Sequence, residues 1–359
     1  MSVQIHKWVL RHLITSLRMK GWEIKMNYSF SKVNYFLRPK KQIERKLFIE
    51  HFTKFIGISK TLGLDFENYR YIGMGSVFYY DFILFHKYLH INRMTSIDSA
   101  NTIKRFKYNR PYDFITFVNK SVQAFLKTYN FKKENFIMWL DYDYKLYNIT
   151  DKFYRTGILE DIKKILENGK FGDFFIITIE NKYPKTIKDR KNFYMEFKEL
   201  LSLEFNDEEK MVNEKFMEKN IHLITDDIVT NFIDINQKFN EVKLQKICSF
   251  IYRDGAPMYT YFGVFDNASE QKIVSTFGEH RLTADKKIVN IDVPILTYKE
   301  KLYLDSIVTD LLNKVKVSTT KASQQKILNE LEFEVENFDI LLNYLDFYKY
   351  YPQYYEGII

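Results

Sequence analysis

A single cysteine, Cys248, is the only thiol in this 359-residue chain. One cysteine closes no internal disulfide and builds no cysteine zinc site, which excludes both scaffold classes. It sits between Ile247 and Phe250 in an apolar run and reads as core. No stretch reaches the roughly 18 uncharged apolar residues of a membrane helix. Near the N-terminus Trp8, Val9, Leu10, Leu13, Ile14 and Leu17 suggest an amphipathic segment, but Arg11, Arg18 and Lys20 interrupt it. That segment lacks the apolar run and cleavage site of a secretion signal. A soluble globular protein in the cytoplasm, with no membrane contact, is the expectation. There is also no long basic tract, no internal repeat and no low-complexity linker. The formal charge of +8 is spread along the chain. Its sign favours acidic partners such as nucleic acid, nucleotides or an acidic protein surface. The abundance of Lys, Asn, Ile, Tyr and Phe together is also what an AT-rich coding sequence would give.

What is present begins with Tyr71-Ile72-Gly73-Met74-Gly75-Ser76. An apolar run to Ile72 stops at the glycines, and Val77 to Leu89 follows with helical character. The pattern predicts strand, tight turn, helix. Glycine lets a backbone approach a ligand closely, and a helix start behind it offers free N–H groups. A second strand, Met94 to Ile97, ends on Asp98, 23 residues after Gly75. An acidic residue about 20 positions past such glycines is where a ribose diol is gripped in nucleotide-binding folds.

Alternation continues to Glu180. Strands are expected at 93–98, 114–118, 136–140 and 174–179, and helices at 77–90, 100–109, 121–129, 152–168 and 187–204. Apolar strands separated by helices predict a parallel sheet covered on both faces. Upstream, Pro39 suits a helix's first turn, and Ile43, Leu47, Phe48, Phe52, Phe55 and Ile56 recur at helical spacing. Asn206 to Lys219 reads as a charged surface insertion. Lys246 to Tyr252 and Met258 to Phe265 read as a hairpin around Arg253-Asp254-Gly255. The expected organisation is a partly helical leader at 1–33, an α/β domain at 34–285 and a small helical or winged-helix-like domain at 286–359. In that last part Thr297 and Glu300 form a capping-box pattern, and Tyr344 to Tyr355 is an aromatic cluster.

Candidate chemistry gathers at the strand ends, where ligands bind in open α/β sheets. Gly73 and Gly75 give close approach, Asp98 can accept two ribose hydroxyls, and Asn119 with Ser121 could read a base edge. Asp141 and Asp143 follow the fourth strand; Glu180 and Asn181 follow the fifth. Each has a plainer reading. Asp98 and Asn119 could be helix caps, and the aspartates could be solvated loop acids. No metal is expected. The histidines show no H-E-x-x-H spacing. Arg38, Lys40, Lys41, Arg45 and Lys46 could contact phosphate or could be a solvated helix face. Arg253-Asp254-Gly255 could line an acceptor pocket or serve only the turn.

The series Tyr-Ile-Gly-Met-Gly-Ser, Ser-Ile-Asp and Trp-Leu-Asp-Tyr-Asp resembles the S-adenosylmethionine-dependent methyltransferase superfamily. With Asn34 to Arg45, Tyr71 to Phe82 and Met138 to Asp143, the chain is similar to a little-characterised bacterial O-methyltransferase group from about Asn34 onward. The resemblance implies a Rossmann-like methyltransferase sheet, parallel strands closed by an antiparallel hairpin, with helical additions at both ends. It implies S-adenosylmethionine as cofactor, with Gly73, Met74, Gly75 and Ser76 at its methionine part. Asp98, with Ser99 beside it, would hold the ribose, and Asn119 would lie near adenine. Asp141 would lie near the methionine amine or the acceptor, with Asp141 and Asp143 as catalytic carboxylates. Departures matter. There is no third glycine, and the fourth strand does not end in Asp-Pro-Pro-Tyr or Asn-Pro-Pro-Tyr, which argues against an amino-methylase of adenine or cytosine. No Pro-Cys pair exists, which argues against cytosine C5 chemistry. The acceptor is left open; the aromatic, basic surroundings favour a nucleic acid or a nucleotide over a small neutral molecule, and a protein partner could use the C-terminal domain. Bacterial antiviral defence is an expectation from the resemblance alone. The alternative is a non-catalytic nucleoside-sensing or partner-binding module on the same fold.

Overall fold

The computed structural model describes residues 38–99, 103–147, 157–278, 280, 282, 284 and 288–352. The chain divides into residues 1–34 and 35–359, and all described residues belong to the second unit. The expected leader, residues 100–102, the chain from 148 to 156, and Tyr354 and Tyr355 lie outside the described residues.

Helix α1 (Pro39–Ser59) begins with Pro at its first turn and has no side-chain cap of its own. The cap comes from far away in sequence. Asp254, in the turn between β6 (Val242–Arg253) and β7 (Pro257–Asn267), accepts the backbone N–H groups of Lys41 at 2.9 Å and Lys40 at 3.4 Å. That satisfies two of the orphan donors every helix start presents. One face of α1 buries Ile43, Leu47, Phe48, Phe52 and Phe55 completely. Phe48 meets Trp139, Phe250 and Phe262 edge-on at 5.0, 5.4 and 5.1 Å. Each buried phenylalanine contributes about 1.5–3 kcal/mol of hydrophobic stabilisation, so this face pins α1 across the sheet centre.

The chain then runs β1 (Arg70–Met74), α2 (Tyr80–Leu89), β2 (Arg93–Ile97), α3 (Ile103–Tyr108), β3 (Ile115–Val118) and α4 (Val122–Leu126). It continues through β4 (Phe136–Lys145), α5 (Gly157–Leu166), β5 (Phe174–Glu180), α6 (Ile187–Phe197), α7 (Glu208–Val212) and α8 (Glu214–Asn236) into the β6–β7 hairpin. After it come α9 (Lys272–Phe277), β8 (Ile288–Ile291), α10 (Tyr298–Ser306), α11 (Val308–Val317), α12 (Lys321–Asn329) and α13 (Phe338–Phe347). The sheet order is β3-β2-β1-β4-β5-β7-β6-β8. Strands β1 to β5 are parallel, and β7 enters antiparallel beside β5. This is the expected Rossmann-like methyltransferase arrangement. The eighth strand, β8, pairs parallel with β6 and was not expected. Strand β4 buries both faces. Phe136, Met138 and Leu140 belong to the core shared with Ile162 and Ile165 of α5 and Ile224 and Ile228 of α8, while Trp139 meets α1. Burial on two faces explains the unbroken apolar run Phe136 to Leu140.

Several boundaries differ from expectation. Strand β1 runs through Gly73 to Met74, so the turn is later than the glycine pattern implies. The next helix starts only at Tyr80. Between them Tyr79 donates its N–H to Ser76 O at 3.1 Å, and Tyr79 adopts φ 48°, a left-handed conformation that stops helix propagation there. Its ring is buried and its hydroxyl donates to Phe106 O at 3.1 Å, which holds the conformation in place. Strand β4 does not end at Leu140 but carries Asp141 and Asp143 within it, with a register irregularity before Lys145. The supposed insertion at 206–219 is not one. Met211 and Met217 are completely buried, because α7 and the start of α8 turn their apolar residues into the core. Beyond Ile291 the regular structure among the described residues is helical, and Thr297 with Glu300 forms the expected capping box. Tyr351 fastens this part, donating to Pro294 O at 2.9 Å and accepting from Leu296 N at 3.0 Å. No helix among the described residues is long and apolar enough to cross a membrane.

Candidate functional site

Strand order reverses between β1 and β4, since β2 and β3 lie on one side of β1 while β4 and β5 lie on the other. Helical connections diverge at such a point and leave a crevice outside the strands' carboxyl ends. The sequence-identified residues fall there. Gly75 follows β1 and donates its N–H to Ile97 O at 3.1 Å. Asp98 follows β2 and donates its N–H to Val118 O at 3.2 Å. Asn119 is exposed just past β3. Gly73 pairs with Trp139, so Asp141, two residues further on β4, stands level with Gly75. Gly75, Asp98, Asn119 and Asp141 thus occupy consecutive strand ends along one edge.

The remaining candidates have other occupations. Met74 is half-buried and packs on the core. Ser76 Oγ accepts the N–H of Phe78 at 3.3 Å, inside the turn. Ser99 is exposed beside Asp98, and Asp143 is exposed beyond Asp141. The cap of α4 is Ser121, which accepts Ala124 N at 3.2 Å, and not Asn119. Asn181 is buried and accepts the Thr225 hydroxyl at 2.8 Å, while Glu180 pairs with Lys182. Neither glycine of the turn has a positive φ; what they supply is room. A Cβ on Gly75 would stand 2.0 Å from Ser96 Oγ, and one on Gly73 would stand 2.6 Å from the Tyr71 hydroxyl.

The first two turns of α1 bring charge to the same edge, which its apolar periodicity alone did not reveal. Lys41 and Arg45 have side chains 3% and 2% exposed, and Glu44 is fully buried. They are therefore no solvated face and no surface for a polymer's phosphates. Arg45 pairs with Asp81 in the first turn of α2, and Lys40 pairs with Asp292 at 2.5 Å. Lys41 Nζ lies 2.9 Å from Glu44 Oε2 and 3.1 Å from Asp141 Oδ2, with the Trp139 ring 4.5 Å away. Both are close ion pairs. With three N–H groups, one ammonium bridges both carboxylates. Behind Glu44 runs a chain of hydroxyls. Thr260 donates to Glu44 Oε1 at 2.5 Å, Thr178 Oγ1 lies 2.9 Å from Thr260 Oγ1, and Trp139 Nε1 donates to Thr178 at 3.0 Å. Burial raises the Glu44 carboxyl above the usual carboxylate range, and Lys41 and Thr260 offset only part of that. Burial likewise pushes the Tyr71 and Tyr252 phenols well up, so both stay neutral.

The edge thus offers a glycine backbone, a carboxylate at the end of β2, and a partly exposed carboxylate on β4 backed by a buried lysine. The donor set suits a ligand with a hydroxyl pair and a positive charge. The sequence signal for Lys41 and Glu44 was present as a charged pair at i, i+3 inside an otherwise apolar helix face.

A family model described as "Putative O-methyltransferase" matches residues 33–359. No curated protein matches the chain. Among solved structures, the plantazolicin methyltransferase BpumL in complex with SAH is similar at 9% identity and a TM-score of 0.38, covering 71% of this chain and 99% of that one. The N-methyltransferase NodS from Bradyrhizobium japonicum WM9 is similar at 11% identity and a TM-score of 0.32, covering 63% and 97%. An S-adenosylmethionine-dependent methyltransferase from Listeria monocytogenes, described as putative, is similar at 10% identity and a TM-score of 0.33, covering 60% and 98%.

Proposed function

The chain belongs to the O-methyltransferase family whose model spans residues 33–359, and from that membership we propose that it transfers a methyl group from S-adenosylmethionine to an oxygen acceptor. One observation carries the reading: Gly75, Asp98 and Asp141 share the carboxyl edge at the β1/β4 switch point. Asp98, with Ser99, holds the ribose hydroxyls, the Gly73 to Ser76 backbone takes the methionine part, and Asn119 flanks the adenine. When bound, the sulfonium supplies an already activated methyl group. What remains for the protein is to hold the acceptor in line, exclude water and accept its proton. We assign that last task to Asp141, with Asp143 exposed two residues further along the strand.

The acceptor we favour is a nucleotide or nucleic acid. Beside Glu180, at the ends of β4 and β5, a cavity of about 160 Å³ is lined by Lys145, Lys182 and Lys185. Glu180 and Asp189 line it too, and Lys182 pairs with Glu180, so the lysines exceed the carboxylates by one; with the chain's formal charge of +8 that favours an acceptor carrying phosphate. The test is isothermal titration with S-adenosylhomocysteine. Micromolar-range binding, lost in Asp98→Ala, is expected; absence of binding to the wild-type protein refutes the reading. A labelled-methyl assay on cell RNA, DNA and protein then identifies the acceptor class, and transfer should disappear in Asp141→Ala.

A further inference from the structure

The Lys41 bridge asks for a purpose that ligand holding alone does not give. Two carboxylates, Glu44 and Asp141, share one buried ammonium. With both ionised the group carries one negative charge in excess, which a cationic ligand at the edge would offset. With a neutral ligand the excess has no partner, and a fully buried carboxylate is the member that least tolerates it. We propose that Glu44 is the terminal acceptor of the proton released in methyl transfer, reached from Asp141 through Lys41. This rests on the proposed cofactor site.

The balance is as follows. An oxygen lone pair of the acceptor forms the new C–O bond, and the C–S electron pair stays on sulfur. The acceptor's O–H bond breaks and its proton passes to Asp141. Lys41 then gives one N–H proton to Glu44 and takes one from Asp141, returning to the ammonium form. The site begins with a sulfonium and an ionised Glu44 and ends with a neutral thioether and a protonated Glu44. Net charge at the edge is unchanged, which spares a low-dielectric site an uncompensated charge. Geometry supports the direction of travel. Asp141 is the partly exposed end of the bridge and Glu44 the fully buried end. The groups that face Glu44 are Lys41 on its own helix, Asp141 on β4, Thr260 on β7, and Tyr252 and Cys248 on β6. Among these only Lys41 carries positive charge, and Thr260 donates a hydrogen bond to Glu44 Oε1.

Proton counting on ligand binding tests this without an acceptor. Wild-type protein is titrated with S-adenosylmethionine and with S-adenosylhomocysteine in buffers of different ionisation enthalpy, across the whole pH range in which it stays folded. At the pH where Glu44 switches, the sulfonium should release about one proton more than the thioether. The difference should vanish in Glu44→Gln, while both ligands still bind. Equal proton numbers in the wild type, or a difference that survives in Glu44→Gln, overturn the proposal. Failure of both ligands to bind the wild type overturns instead the cofactor reading beneath it. Should Glu44→Gln not fold, Thr260→Val serves. Losing that donor should move the proton difference to higher pH, and an unmoved midpoint overturns the proposal.

Discussion

Replacing Gly75 by alanine adds one methyl group at the most crowded point of the candidate site. Its Cβ would stand 2.0 Å from Ser96 Oγ, closer than real Cβ contacts come. The next atoms, Ser96 Cβ at 3.4 Å and Phe106 Cε1 at 3.5 Å, are ordinary neighbours. One hydroxyl oxygen therefore accounts for the clash. Ser96 is completely buried on β2 and pairs with Gly73, so it cannot swing into solvent. Overpacking of this kind costs about 1–3 kcal/mol. Urea unfolding of Gly75→Ala should show a midpoint lowered accordingly at unchanged slope. The decisive variant is Gly75→Ala combined with Ser96→Ala, which removes the offending oxygen. A double-mutant cycle should give a favourable coupling of about 0.5–3 kcal/mol. A wild-type midpoint for Gly75→Ala, or a double variant less stable than the sum of the singles, would refute the reasoning.

Other outcomes follow from the same contacts. Asp254→Ala removes the cap that the hairpin turn supplies to α1 and should lower stability by about 0.5–2 kcal/mol in denaturant unfolding. Because that cap sets the first turn of α1, the same variant should also weaken binding of S-adenosylhomocysteine by calorimetry. Asp161 is raised from 3.8 to about 6 by burial, which the hydroxyl of Tyr142 and the amide of Gln123 only partly offset. The folded protein therefore keeps this proton where the unfolded chain has lost it, so its contribution to stability falls as pH rises through that window. In unfolding measured from pH 4 to 7, Asp161→Asn should gain on the wild type as pH rises; a constant difference would contradict this. Asp173, also raised to about 6 by burial, leaves part of the slope in the variant.

The parallel sheet was legible because its central strands are buried on both faces and so read as unbroken apolar runs. The inserted β7 was legible because a hairpin carries its own turn chemistry at Arg253-Asp254-Gly255. Strand ends were less legible. Gly73 lies inside β1 because its missing side chain makes room for the Tyr71 phenol, a contact within the strand's own face that no turn pattern reports. The start of α2 was misplaced because Val77 to Tyr79 are apolar for tertiary reasons, and Tyr79 adopts a left-handed backbone that propensity disfavours. Charge in 206–219 concealed Met211 and Met217, whose spacing places both inward. Lys41, Glu44 and Arg45 look like surface in the sequence, since charged residues on a helix usually are. Their burial depends on partners more than 30 residues away, Asp141, Thr260 and Asp81.

The most direct measurement is a crystal structure with S-adenosylhomocysteine bound. The expected result places the ribose hydroxyls at hydrogen-bond distance from Asp98, about 2.7–3.2 Å, the homocysteine backbone over Gly75, and the sulfur on the Asp141 side of the crevice. A ligand seated elsewhere on the chain, with Asp98 facing no ribose, would contradict it.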